Sequence, residues 1–129
     1  MASALTQNDG IDLGSATNVR TAVLEREILD PSQVVSGNPE VSCLILSTTP
    51  DGRIVRGIWK CTRGVVTDVE QDEMFTVVEG RATVAIEGGR TLEISPGYVG
   101  IFRRGARTTW TIHEDLLKTF QITMPESYL

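Results

Sequence analysis

The fold of this chain is most readable in two stretches: residues 64–80, GVVTDVEQDEMFTVVEG, and residues 96–110, PGYVGIFRRGARTTW. Both hold short runs of β-branched and aromatic residues, separated by glycine and proline turns. Next to the first stretch, residues 81–86 (RATVAI) alternate along the chain, with three apolar side chains on one face. A period of two residues is typical of a strand with one buried face. This region therefore predicts antiparallel β structure.

The same signals continue on both sides of these stretches. Thr49-Pro50-Asp51-Gly52 predicts a hairpin turn, because proline sets the first turn dihedral and glycine accepts the left-handed one. We expect strands over residues 42–47, 54–61, 74–78, 81–86, 91–94, 99–102, 108–112 and 118–124. Many short strands with turns every eight to twelve residues are typical of a small β-sandwich or barrel.

The first 33 residues have a different character. Residues 1–17 are polar and without period, which predicts a loose arm. Residues 18–29 fit either a short helix or an extended segment, and Pro31 ends it in both cases. The expected organisation is an N-terminal arm over residues 1–33 and one β-domain over residues 34–129.

Size and charge exclude several classes of function. The chain has 129 residues, enough for one hydrophobic core, and a formal net charge of -5. This charge argues against binding to nucleic acid or to an anionic membrane surface, both of which need a basic face. There is no signal-peptide pattern and no apolar run near the ~20 residues of a membrane span, so we expect a cytoplasmic protein. Cys43 and Cys61 fall in predicted strands, and we interpret them as buried thiols.

At this point the residues resemble a known family. The chain resembles a single-domain cupin of the subgroup that includes ureidoglycine aminohydrolase-like and ethanolamine-utilisation cupins. The matching segments are GIWKCTRG (57–64), EMFTVVEGRATV (73–84), ISPGYVGIFRRGARTTWTI (94–112) and LKTFQI (117–122). The resemblance implies an all-β fold, a small cupin barrel (a double-stranded β-helix, or jelly roll) behind an N-terminal arm. It also implies a homodimer.

The first cupin motif, G-x5-H-x-H-x3/4-E-x6-G, is kept only in its second half. Glu73 is followed by six residues and then by Gly80, as the motif requires. The two histidine positions depend on the residue from which they are counted, because this stretch is about three residues shorter than the full motif. Counting back from Glu73, the anchor we prefer, gives Thr67 and Val69, or Val66 and Asp68; counting forward from Gly64 gives Glu70 and Asp72. Neither count gives a histidine.

The second motif, G-x5-P-x-G-x2-H-x3-N, keeps both glycines, Gly97 and Gly105, and places Thr108 at the histidine. The only histidine of the chain, His113, lies one residue past the motif. We expect it at a strand end rather than inside the barrel. A single histidine without a matched partner leaves no serine or cysteine nucleophile arrangement.

Metal-binding cupins use three imidazoles and one carboxylate, and only the carboxylate, Glu73, remains here. We therefore expect no metal and no other cofactor. Two interpretations of the neighbouring acids stay open. Asp68, Glu70 and Asp72 either supply oxygens to a hard cation or form a solvated acidic loop at the rim of the barrel.

Glu73 is the candidate catalytic residue. As an inward carboxylate it could act as a general acid or base, or it could pair with an arginine and support the structure. Across the barrel mouth, Arg103 is the candidate anchor for an anionic ligand, because a guanidinium fits carboxylate or phosphate. The alternative is that Arg103, Arg104 and Arg107 neutralise the acidic segment opposite.

The remaining candidate ligand-binding residues are Trp59, Thr108, Trp110 and Lys118. Thr108 fills the histidine position, both tryptophans lie where the resembled subgroup tends to carry tryptophan, and Lys118 aligns with a basic residue of the subgroup near the last strand. The tryptophans either wall a cavity or fill the core, and Lys118 has the alternative role of a strand-edge lysine that discourages edge pairing.

Three hypotheses of function follow. The first is a metal-free barrel that binds a small polar or anionic molecule, with Glu73 as a possible proton carrier. The second is a metal-dependent enzyme of the ureidoglycine aminohydrolase type with a substituted carboxylate ligand set. The third is a structural or regulatory dimer with a filled barrel.

Overall fold

Two long antiparallel strands, β6 (Asp72–Ile86) and β9 (Arg107–Thr123), form the frame of the protein. In this computed structural model, residues 13–126 are described. The other strands are β1 (Glu25–Glu27), β2 (Val34–Gly37), β3 (Val41–Thr48), β4 (Ile54–Cys61), β5 (Gly64–Val69), β7 (Thr91–Ile94) and β8 (Val99–Phe102). A single-turn 3-10 helix, Pro31–Gln33, is the only helix within residues 13–126. No helix in this part of the chain is long and apolar enough to cross a membrane.

The strands form one curled sheet with the shape of a half-barrel. Along one path the order is β1-β3-β4-β9-β5-β2, and β6 lies against the other edge of β9 and also pairs with β7 and β8. All these pairings are antiparallel. The prediction of an all-β cupin-like barrel is confirmed.

The sheet bends where β6 changes register against β9. The shifts lie between Val77 and Ala82, and Gly80 sits among them with φ +86. A Cβ at Gly80 would lie 2.1 Å from the carbonyl oxygen of Asp115, so neither the dihedral nor the space admits a side chain. This bend lets one long pair of strands take part in both halves of the barrel.

The core is built from the inward face of these strands. On β6, Phe75 and Val77 are buried before the bend and Val84 after it, while Met74 faces outward. The alternation read from residues 81–86 is therefore confirmed. On β9, Trp110 is buried among the same side chains. Both cysteines are free thiols.

Several local predictions were wrong because pairing partners override local turn signals. Residues 79–80 do not end a strand, since β6 continues through them, and the strands expected at 108–112 and 118–124 are one strand, β9. Residues 64–69, not among the expected strands, form β5 between β9 and β2. The hairpin turn of residues 49–52 is confirmed by the pairing of β3 with β4.

The N-terminal segment is extended rather than helical where the sequence left both alternatives open. Its residues 25–27 add β1 to the edge of β3. Asp30 caps the following helical turn by accepting a hydrogen bond from the Ser32 N–H (3.0 Å), and this bond lowers the pKa of the exposed Asp30 carboxyl. Gln33 then donates to the carbonyl of Thr67 on β5 (3.0 Å). The predicted arm falls partly on residues 1–12, outside the described residues.

Candidate functional site

Inside the barrel, Lys118 and Glu73 form a buried ion pair. The ammonium Nζ of Lys118 lies 2.7 Å from Glu73 Oε2, and the two residues are only 5% and 7% exposed. Lys118 lies on β9 between β4 and β6, directly opposite Trp59 and Val77. It is therefore no strand-edge lysine, and the partner of Glu73 is a lysine rather than the arginine expected in one of the alternatives.

Three aromatic rings surround the same ammonium group. Lys118 Nζ lies 4.8 Å from the ring centroid of Trp59, 4.6 Å from that of Phe75 and 4.8 Å from that of Trp110. Cations are attracted to the faces of such rings, and the attraction grows when water is excluded. The rings and the Glu73 carboxylate together hold the charge of Lys118 in the interior.

A second buried carboxylate, Glu70, lies beside this cluster and is only 5% exposed. Its Oε2 accepts hydrogen bonds from the Thr108 hydroxyl (2.6 Å) and from the indole N–H of Trp110 (3.0 Å). Its Oε1 accepts no hydrogen bond from any other residue of the described range. Burial raises the pKa of the Glu70 carboxyl, and the nearby charge of Asp68 adds to the rise against these hydrogen bonds.

Glu70 is held in place by its main chain. Its N–H donates to the carbonyl of Ala106 (2.8 Å), and its own carbonyl accepts from the N–H of Gly105 (2.9 Å). These bonds tie the acidic segment to the turn that precedes β9. The interpretation of the segment as a solvated loop is therefore wrong for Glu70. Counting forward from Gly64 finds this inward side chain, whereas Val69, reached from the Glu73 anchor, is exposed.

These side chains face an inner cavity of ≈ 190 Å³. From the barrel side it is lined by Trp59, Glu70, Trp110 and Lys118, and from the N-terminal side by residues 27–29 and Gln33. Asp68, near the end of β5, lines both this cavity and an outer groove that also reaches Thr108. Asp68 is exposed, but its partial burial raises the pKa of its carboxyl.

The structure brings most of the sequence candidates together. Trp59, Trp110 and Lys118 line the inner cavity, and Thr108 reaches it by holding Glu70. Glu73 lies behind Lys118 and is not among the lining residues. The buried acid that lines the cavity is Glu70, which the sequence offered through the count from Gly64 and as one member of the acidic segment.

Arg103 is not brought to this site. It lies in the exposed turn after β8 and lines neither the inner cavity nor the outer groove. Neither it nor Arg104 nor Arg107 belongs to any of the ion pairs found within residues 13–126. The expected neutralisation of the acidic segment by these side chains is absent there. Instead, the main-chain N–H of Arg104 donates to the Asp72 carboxylate (2.9 Å).

His113 also differs from its expected position. It lies within β9 rather than at a strand end. Its Nε2 is 2.8 Å from the Thr83 hydroxyl, which also donates to the exposed carboxylate of Glu93. Thr83 pairs with Glu93 across β6 and β7, and His113 is half-buried beside it, away from the lining of the inner cavity.

The donor set does not fit the transition metal of metal-binding cupins. No group of three or more histidine, cysteine, aspartate or glutamate side chains in the described part of the chain is placed to hold a metal ion. Glu73, the one carboxylate kept from the motif, is already bonded to an ammonium group. The positively charged side chain of Lys118 therefore occupies the carboxylate that would bind the metal.

A curled antiparallel sheet with an inward glutamate, both motif glycines and an inner cavity is typical of a cupin. The model of the EutQ-like cupin domain matches residues 48–120, more than half of the chain. The chain therefore belongs to the EutQ-like cupin family, which confirms the resemblance to ethanolamine-utilisation cupins. No curated protein matches it.

Solved structures support the same fold. A protein of unknown function of the DUF861 family from Pseudomonas syringae pv. tomato has a TM-score of 0.71 and 24% identity, over 81% of this chain and 46% of that chain. This chain thus spans less than half the length of that relative. The EutQ protein of Clostridium difficile has a TM-score of 0.60 and 16% identity, over 76% and 81%. The cupin domain of Schizosaccharomyces pombe Cnp3 has a TM-score of 0.60 and 11% identity, over 84% and 73%.

Proposed function

We propose that this cupin barrel binds a small polar molecule in the inner cavity, without a histidine-bound metal. One observation carries the proposal: two charged side chains, Lys118 and Glu70, are more than nine-tenths buried and line a cavity that the core does not fill. Burying charge is costly unless it is paired or hydrogen-bonded, and such groups cluster at functional sites. A ligand-sized space beside them supports a binding role.

Each side chain then has a role that follows from its contacts. Glu70 and Lys118 orient the ligand through hydrogen bonds, and the rings of Trp59 and Trp110 form the apolar walls. Thr108 positions Glu70. For Glu73 we propose a positioning role in place of the acid–base role considered from the sequence, because its bond to Lys118 keeps it behind the cavity.

Binding can be tested with a ligand screen that follows thermal stability. A cavity-filling variant, Leu29→Trp, should remove the stabilisation by any hit, because Leu29 lines the cavity from the N-terminal side. Val23→Trp is the matched control, since Val23 is exposed on the same segment and does not line the cavity. A saturating ligand at about 100 times its Kd adds about 2.7 kcal/mol to stability, which such a screen resolves. Hits that survive Leu29→Trp would place the site elsewhere.

Arg103→Ala separates this site from the one expected at the arginine turn. Because Arg103 lies outside the cavity lining, this variant should bind every hit as the wild type does. Loss of binding in Arg103→Ala would move the site to the turn. Elemental analysis of protein purified without chelators tests the proposal that the barrel works without a bound metal. A stoichiometric transition metal would contradict it.

A second function, assembly into a structural or regulatory homodimer, is supported by a different surface. Val99 and Ile101 on the edge strand β8 and Met74 beside them on β6 are exposed apolar side chains. Such patches favour protein contacts, and edge strands favour pairing. Light scattering after size exclusion should give a dimer for the wild type and a monomer for Ile101→Lys. Thr91→Lys, on the exposed start of β7, is the control and should leave the mass unchanged.

A further inference from the structure

We infer that the molecule bound in the inner cavity is a small organic cation, such as a protonated amine or a guanidinium. This inference rests on the proposed function and adds the chemical class of the ligand. It follows from the charges that line the cavity, from one open carboxylate oxygen and from the size and walls of the space.

The charges that line the cavity are unbalanced. Among the described residues that line it, Glu27, Asp68 and Glu70 contribute carboxylates, and Lys118 contributes the only ammonium group. The charge of Lys118 is already matched by Glu73, which lies behind it and outside the lining. With these carboxylates ionised, the cavity therefore has an excess of negative charge. An anionic guest would meet three carboxylates, whereas a cation would neutralise them.

Glu70 offers this cation a fixed acceptor. Its Oε2 is used by Thr108 and Trp110, while its Oε1 accepts no hydrogen bond from the described residues and belongs to a side chain that lines the cavity. Two hydrogen bonds to the side chain and two to the main chain hold the carboxylate still. A hydrogen bond between such a carboxylate and a charged N–H group is among the strong ones.

The size and the walls of the cavity restrict the cation further. A volume of ≈ 190 Å³ holds about six non-hydrogen atoms, taking about 30 Å³ for each water-sized group. The rings of Trp59 and Trp110 suit an organic cation, which they can face, better than a strongly hydrated ion. A bare metal ion is disfavoured because no group of three or more metal-binding side chains is placed together within residues 13–126.

The two tryptophans of the chain both line the cavity, so their indole N–H signals report on it. The signals are assigned in a 1H–15N spectrum with Trp59→Phe. Methylammonium and guanidinium chloride are then titrated against potassium chloride, sodium acetate and acetamide, at constant ionic strength. We expect the two organic cations alone to shift the Trp110 signal saturably, because this N–H donates to Glu70.

Glu70→Gln should weaken methylammonium binding about tenfold or more, since it replaces a charge-assisted bond by a neutral one. Asp68→Asn, at the more exposed rim, should weaken it several-fold and serves as a second variant if Glu70→Gln fails to fold. Glu126→Gln, which removes one charge at an exposed position outside the cavity lining, should change nothing.

The outcomes separate the two proposals. Binding of acetate or acetamide with equal or greater affinity than methylammonium would overturn the inference that the ligand is a cation. It would leave the proposal of a cavity for a polar ligand. Binding of methylammonium that neither Glu70→Gln nor Asp68→Asn weakens would also overturn it. If no probe shifts either indole signal, both the inference of a cationic ligand and the proposed binding function fail.

Discussion

The buried pair of Lys118 and Glu73 makes a quantitative prediction, tested by Lys118→Met. Methionine keeps most of the length and apolar stem of lysine and can contact the surrounding rings. The substitution therefore removes the charge and leaves the packing largely intact. What remains is the Glu73 carboxylate, 7% exposed and without its partner.

The structure sets the size of the expected effect. At 2.7 Å and an effective dielectric constant of about 20, the attraction between the two charges is about 6 kcal/mol, and desolvating the two ions costs several kcal/mol each. The pair as a whole is therefore close to neutral for stability. Breaking it by removing one partner typically costs about 3–5 kcal/mol, because a buried charge is left alone. We therefore expect Lys118→Met to lower the free energy of unfolding by about 3–5 kcal/mol at pH 7.

The assay is urea unfolding, followed by tryptophan fluorescence, for a double-mutant cycle. The cycle comprises wild type, Lys118→Met, Glu73→Gln and the double variant. The double variant holds no charge at either position and should lie within about 1 kcal/mol of the wild type at pH 7. Lys60→Met, at an exposed position on β4, is the control and should change stability by less than about 0.5 kcal/mol.

Two results would refute this reasoning. The first is a loss of less than about 1 kcal/mol in Lys118→Met at pH 7. The second is a double variant whose loss equals that of the two single variants combined, which would mean that the side chains are not coupled.

Three further predictions concern the interior. Burial raises the pKa of Glu70 in the folded state, so the stability contributed by Glu70 is complete below its unfolded pKa and is lost as pH rises through its folded pKa. Glu70→Gln should remove this decline in stability, which is at most about 1.4 kcal/mol per pH unit. The measurement is urea unfolding between about pH 4.5 and 7.5. Equal slopes in both proteins would contradict it. A Cβ at Gly100 would lie 2.1 Å from the Phe75 ring, so Gly100→Ala should cost about 1–3 kcal/mol or more, while Gly14→Ala, with nothing within 4 Å, should cost little. Burial raises the pKa of the Cys61 thiol to about 11, so a maleimide at pH 8 should modify it only after unfolding, as mass spectrometry of the intact protein would show.

Much of the barrel could be predicted from local patterns. The burial of Val84 and the turn of residues 49–52 follow from side-chain period and turn chemistry, which neighbouring residues in the chain set. The continuous course of β6 and β9 could not be predicted in this way. Local signals mark Gly80 as a turn, and only the close approach of the Asp115 carbonyl turns that signal into a bend within a strand.

The candidate site was predicted less evenly. Trp59, Trp110 and Lys118 were found through the family resemblance, and the structure places all three at the cavity. Arg103 was chosen for the chemistry of its guanidinium, but the exposed turn after β8 carries it to the surface and away from the cavity lining. Glu70 was one of several acids in a charged run, and nothing local distinguishes an inward carboxylate from an outward one when a strand ends beside it.

The sequence by itself determined the class of fold, the turns and the absence of the histidines of a cupin metal site, because these are properties of residue type and short-range spacing. The tertiary structure alone decided which charges meet. Lys118 bonds to Glu73 across 45 positions of sequence, and Thr108 bonds to Glu70 across 38. Such pairs depend on the register of β9 against β6 and on the turn that holds Glu70. Register is set by the packing of the whole sheet and not by any one segment. The interior of the barrel thus holds one buried ammonium group and two buried carboxylates beside a cavity of ≈ 190 Å³.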